Sequence, residues 1–292
     1  MNAVNRQRAV LAALLIALGV STPVLAHAVS PAATAADEVT ALEAAIATLN
    51  KDKQQSAAAF QAYEALGAFY EARGDRKNAN KTYTRTIAAF DKGKFQLNGG
   101  PEATAAARAE LMLLTPHYDA FMATKIVPNP KLKPDKQMAF VVSQVKAMMD
   151  VVFGPEKETV APDGVRRTLR ANGMYDQYAA RVGKYGSKWT YLAYLNRARM
   201  LLYLAATIYK APAPPDMSKD ESAAFDEFVA SFGKQVEDRA LKSLVEVLKD
   251  ADAKGVSDPA VTQIRGVLHT YLPKEFPLPD AGASAATPVP AP

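Results

Sequence analysis

The chain of 292 residues carries 35 lysines and arginines against 30 acids, a formal net charge of +5, and it contains no cysteine. That balance is too mild to single out nucleic acid as a partner. The missing thiols exclude cysteine catalysis, thiolate metal sites and disulfide scaffolding.

The first element in chain order is a targeting segment. Arg6 and Arg8 make a positive region, Ala9 to Val20 an apolar one, and Pro23 breaks it. Small residues then follow at Val24-Leu25-Ala26 and Ala26-His27-Ala28. The pattern predicts a secretory signal over residues 1–26, cleaved near Ala26 or Ala28. The alternative, an uncleaved anchor, is disfavoured because the apolar run falls short of the roughly 20 residues of a spanning helix. The mature chain is expected to be exported and not transmembrane, with a net charge of +3 once Arg6 and Arg8 are removed. Residues 27–35 read as a flexible N-terminus.

From residue 36 onwards the apolar period is helical. Val39, Leu42, Ile46 and Leu49 mark a first amphipathic helix. The next stretch, "YEALGAFYEARGDRKNANKTY" at 63–83, contains two glycines, Gly67 and Gly74, that an isolated helix would not favour. Their neighbours explain them. Tyr63, Leu66, Gly67, Tyr70, Gly74, Ala79 and Tyr83 have the spacing of a tetratricopeptide repeat, and the stretch resembles that family of paired antiparallel helices. The resemblance implies that Gly67 lets the two helices approach and that Gly74 makes the turn in a left-handed conformation. It further implies that Ala79 keeps the second helix close and that Tyr83 fills the gap beyond it. Tyr63 replaces the usual tryptophan, Tyr83 the usual phenylalanine, and Asp91 a common terminal proline. In this family the first helix lines a concave partner groove, which here implies Gln61, Glu64, Ala68 and Glu71 as groove residues for a basic or amide-rich peptide. The competing expectation is that a neighbouring helix covers this face.

A single repeat cannot cover its own apolar face, so neighbours are required. Ala103 to Lys125 reads as the next helix, kinked at Pro116, and closes a repeat-like region spanning 36–130. Residues 131–272 form a second helical region. Met138, Val141, Val142, Val145, Met148, Met149 and Val152 give one helix there, and Trp189 to Tyr209, apolar on nearly all sides, gives an interior one. Trp189-x2-Leu192-Ala193 has the opening spacing of another repeat unit. Val236, Ala240, Leu244, Val247, Leu248 and Ala251 mark a last long helix, stopped by Gly255. No pair of alternating strands with an Asn-Gly or Asp-Gly turn is read, so the fold class is all-α, a stack of antiparallel helical hairpins. The Pro- and Ala-rich tail, 273–292, is expected to be disordered.

Chemistry is sparse. Neither His117 nor His269 has a second histidine within a helical turn, so no metal site is expected. No nucleophile elbow or phosphate loop appears. Glu156 and Glu158 fall between prolines and read as a solvated loop. The chain is expected to be neither an enzyme nor a cofactor protein. Charge is less even. Arg166, Arg167, Arg170, Arg181, Lys184, Lys188, Arg197 and Arg199 face Asp176 alone between 165 and 199, whereas 216–252 holds ten acids and five bases. The first six of those bases are candidates for binding an anionic partner, a lipid, a cell-wall polymer or an acidic protein segment. The simpler expectation is that the two regions pair with each other.

Finally, Tyr185 to Trp189, the Arg197 helix, "KAPAPPDMSKDES" at 210–222, a long helix through Glu237 and Ala240, and "YLPKEFPLP" at 271–279 are similar in order to envelope-associated repeat proteins of gliding myxobacteria. That resemblance implies a periplasmic, non-catalytic scaffold or adaptor that binds other envelope proteins in a motility or trafficking assembly. Asn196, where the family has an aromatic, departs from it.

Overall fold

Helices form where the apolar period predicts them, and most begin or end at a residue with a physical reason to be there. The computed structural model describes residues 34–277 apart from 51–52, 130, 161–165, 171 and 214–216. The expected signal segment and the end of the tail lie outside the described residues. The chain divides into two units, residues 1–41 and 42–292. Helix α1 (Ala35–Ala47) opens in the first of these. There the Thr34 hydroxyl and N–H donate to the Asp37 carboxylate, and the hydroxyl accepts from the Asp37 N–H. Ala35 is therefore already helical, a small correction to the flexible N-terminus.

In the second unit the chain continues through α2 (Ser56–Ala72), α3 (Arg76–Gly93), α4 (Pro101–Met122) and α5 (Pro134–Phe153). Two strands follow, β1 (Glu156–Val160) and β2 (Arg166–Arg170), then the short α6 (Met174–Gln177), α7 (Trp189–Tyr209), α8 (Lys219–Ala253) and α9 (Pro259–Tyr271). Asp75 caps α3 by accepting from the Asn78 N–H, and Ser218 and Glu221 form a reciprocal capping box at α8. Pro101, Pro134 and Pro259 sit in first turns, where the missing N–H costs nothing. Helix α4 runs through Pro116, which cannot bond back to the Met112 carbonyl, and it ends at Met122 rather than Lys125.

Among the described residues, the fold is all-α with one exception. β1 and β2 pair antiparallel, Glu156 opposite Arg170 and Val160 opposite Arg166. Glu156 and Glu158 thus stand on a strand, not in the loop expected for them. Charged residues at most strand positions hid the pattern, although the intervening sequence contains Asp163-Gly164, a hairpin signal.

Helix α7 lies at the centre of the core, packed against α4, α5, α8 and α9. Leu195, Leu201 and Leu204 on it are fully buried, each contributing about 1.5–3 kcal/mol by leaving water. No turn interrupts α7, so the Trp189 spacing does not open another hairpin. Helix α8, at 35 residues, is longer than the other helices and packs along α7. Among the described residues, no helix is long and apolar enough to cross a membrane.

The α3–α4 loop is fastened to the segment before α7. The Gly99 N–H donates to the Tyr185 carbonyl at 2.9 Å. A Cβ at Gly99 would lie 2.6 Å from the Gly186 carbonyl oxygen, and its φ of 73° independently favours glycine. Beside this contact Phe60, Phe90, Phe95 and Tyr185 meet edge to face, with Phe90 and Tyr185 centroids 5.1 Å apart.

Candidate functional site

The α2–α3 hairpin is assembled around the two glycines. Gly74 takes φ 71°, the left-handed turn expected of it. At Gly67 a Cβ would come within clashing distance of Tyr83 Cε1, so the close approach is between the α2 backbone and an α3 side chain rather than between two backbones. Tyr63 and Leu66 are buried. Ala79 and Tyr83 form a small cluster with Ala109 of α4, edged by Tyr70, which joins the hairpin to its neighbour.

The four groove positions lie along α2 with different surroundings. Gln61 is exposed and Ala68 half-buried. Glu64 and Glu71 keep side-chain exposures of 25% and 32%, and Arg108 of α4 reaches both carboxylates, at 3.7 and 3.9 Å. Arg108 also donates to the Glu64 backbone carbonyl at 3.4 Å and lies 5.7 Å from the centroid of the Trp189 ring. A basic group is thus already present between the two acids, supplied by the chain itself. Pairs this long and this solvated contribute about 0–1 kcal/mol each. Burial, and next the Glu71 carboxylate, push the Tyr83 phenol well above its ordinary value. It stays protonated beneath the acids, its hydroxyl buried and without a hydrogen-bond partner. Two carboxylates and one guanidinium leave one net negative charge on this face. It can accept a cation or an amide donor and contains no nucleophile.

The basic residues are dispersed. Arg166 and Arg167 belong to β2, with side chains outside the described residues. Arg170 pairs with Asp150 and with Glu156 at 2.6 Å and donates to the Gly154 carbonyl at 3.1 Å. Arg181 pairs with the buried Glu110 at 2.6 Å. Lys184 and Lys188 lie over Tyr185 and Trp189. The two arginines therefore spend their charge on Asp150, Glu156 and Glu110, not on the acids of 216–252. In that region Asp250 pairs with Lys254, and Asp252 with Arg265. Helices α7 and α8 do touch, through apolar faces such as Leu201 and Leu244.

Among the described residues, no three His, Asp or Glu side chains stand close enough together to hold a metal ion. His117 lines an open cleft of about 300 Å³ with Leu114, Phe121, Val151, Met174 and Gln177. The His269 ring nitrogen Nδ1 meets the Phe276 carbonyl at 2.9 Å.

No family model, curated protein or solved structure matches this chain. The site is therefore read from its own geometry. Sequence reasoning missed Arg108, whose one signal was being the lone charge in the run from Ala103 to Ala109. It also missed Phe228, half exposed and stacked on Phe232 at 5.6 Å.

Proposed function

We propose that the protein is a non-catalytic adaptor that is exported to the periplasm and holds other envelope proteins together, in an assembly of the motility or trafficking kind. The observation that carries this reading is the α2 face, where Gln61, Glu64, Ala68 and Glu71 lie in line and partly open beside α4. Arg108 stands between the two carboxylates, at 3.7 and 3.9 Å, and biases where they lie before any ligand arrives. Preorganised acceptors lower the ordering cost of binding. The ligand that fits is an extended peptide offering amide or cationic donors.

The test is crosslinking in intact cells through a photoreactive residue at Gln61, which is exposed. Glu64→Gln with Glu71→Gln is the informative variant, because lysine at these positions would repel Arg108 and confuse binding with folding. The expected result is an envelope protein crosslinked by the parent and lost from the Gln variant, with the melting temperature within a few degrees. Recovery of monomer alone from the parent would reject the adaptor reading.

A further inference from the structure

Most of the arginines that reach inward from this surface meet an acceptor. Arg85, Arg170, Arg181 and Arg265 pair with carboxylates, and Arg199 donates to Gln263. Arg197 of α7 and Arg239 of α8 differ. Among the described residues, neither guanidinium has an ion-pair or hydrogen-bond partner, and the Arg197 Nε is buried with no acceptor. A buried donor left unmade costs stability, more so when it is charged.

Both guanidiniums lie over one ring instead. Arg197 stands 3.5 Å and Arg239 4.7 Å from the Tyr175 centroid, so the two charges are at most about 8 Å apart. Arg239 is also 4.9 Å from the Phe153 centroid. The platform is fixed by the backbone. A Cβ on Gly173 would collide with Gly154 N, the Phe153 carbonyl carbon and the Val152 carbonyl oxygen, so the start of α6 lies directly on the end of α5. That contact brings the Tyr175 and Phe153 centroids to 6.1 Å. Tyr175 is buried, Arg197 half-buried and Arg239 exposed, so the pair is reached from solvent on the α8 side.

No acid neutralises the pair. Helix α7 contains no Asp or Glu, and the residues one turn to either side of Arg239 are Gln235, Val236, Lys242 and Ser243. Asp176, next to Tyr175 in sequence, is exposed and pairs with neither arginine. A ring face attracts a guanidinium and can cover its plane, which leaves the in-plane N–H fork for another partner. Each fork matches a phosphate or carboxylate bidentately. Two uncompensated charges match a phosphate monoester, which carries about −1.5 to −2 near neutral pH, better than a single carboxylate.

From this we infer that Arg197 and Arg239 form a binding site for a phosphate monoester group, beside Tyr175 and between α7 and α8. The inference goes beyond the adaptor reading and does not depend on it.

The test follows the arginine Nε–Hε resonances of the full mature chain as glycerol 3-phosphate is added, with Arg197→Lys and Arg239→Gln assigning the two signals. Both should move and saturate at millimolar concentration or below, while the signal of exposed Arg76 stays in place. Acetate at the same ionic strength should bind at least tenfold more weakly. Arg239→Gln alters an exposed position, so it should keep the melting temperature and weaken binding at least tenfold. Arg197→Lys keeps the charge but loses the fork, and should weaken binding too. Movement of neither signal, equal movement of all arginines, an equal response to acetate, or full binding by folded Arg239→Gln overturns the inference and leaves the pair as a clamp on Tyr175. Competition then separates the sources of the phosphate group. Displacement by phosphatidylcholine vesicles containing phosphatidic acid supports a lipid headgroup, and displacement by inorganic phosphate but not by the vesicles supports a soluble phosphate. Displacement by neither overturns the assignment.

Discussion

Two hairpins in this protein solve the same problem in opposite ways. The α2–α3 hairpin is held along its whole length, with Gly67 against the Tyr83 ring and the Ala79 face covered by α4. Among the described residues, the β1–β2 hairpin is fastened at its neck, by the Gly154–Gly173 contact, by Arg170 and by Lys146. In the first, stability is spread over many side chains that can shift. In the second, among the described residues, it rests on a few backbone atoms and the charges of Arg170 and Lys146. The comparison teaches that a helical pair is forgiving where a side chain intrudes, whereas a pinched backbone is not.

The largest expected effect follows from that contrast. Gly173→Ala would place a methyl group against three backbone atoms that cannot rotate away. It should cost about 3 kcal/mol or more, the upper end for overpacking. Urea denaturation gives the value, and a loss below about 1 kcal/mol would mean that the neck opens easily. Gly67→Ala should cost less, about 1–3 kcal/mol, because the obstacle is the Tyr83 ring and the ring can move. Combining it with Tyr83→Ala should reveal coupling of about 1–2 kcal/mol in a double-mutant cycle. Strict additivity would show that the glycine serves some other purpose.

The smallest effect is electrostatic. Hydrogen bonds from Arg170, then from Lys146, hold the Glu156 carboxyl below its ordinary range. A depressed carboxyl contributes stability above its unfolded value, and that contribution disappears as the pH falls through the folded value, because the unfolded state binds the proton first. Protection of the amides of 156–160, corrected for the intrinsic exchange rate, should therefore weaken as the pH drops below about 4.5. Arg170→Gln should remove this pH dependence. The Asp75 and Glu43 carboxyls are lowered too, by Asn78 and by Arg85. Even so, the buried amides of α2 should stay protected over the same range, since side-chain packing and not these acids holds that hairpin.

How much could be read beforehand tracks this difference. The α2–α3 unit was legible because its determinants are local. Tyr63, Gly67, Gly74, Ala79 and Tyr83 lie within one stretch, and their spacing encodes the contact. The all-α class was legible from the 3.6 period, and the interior position of α7 from its lack of a polar face. The β-hairpin was not, because Glu156, Lys157, Arg166 and Arg167 break the apolar alternation that identifies a strand. Asp163-Gly164 was the remaining signal. Arg108 escaped for another reason. Its position between Glu64 and Glu71 is set by how α4 lies across α2, and no spacing within either helix specifies that crossing.

The clasp between Gly99 and the 185–186 turn also bears on the order of folding. Helices α2 to α4 contain what they need to find one another early, yet the aromatic end formed by Phe60, Phe90 and Phe95 is not closed until Tyr185 arrives from far along the chain. Contacts between distant residues form slowly, because a long loop must close before they bring any gain. Refolding should therefore pass through a fast rise in helicity followed by a slower closure. The sole tryptophan of the chain, Trp189, stands four residues beyond Tyr185 with Arg108 above its ring. Its fluorescence is a built-in clock for that last step.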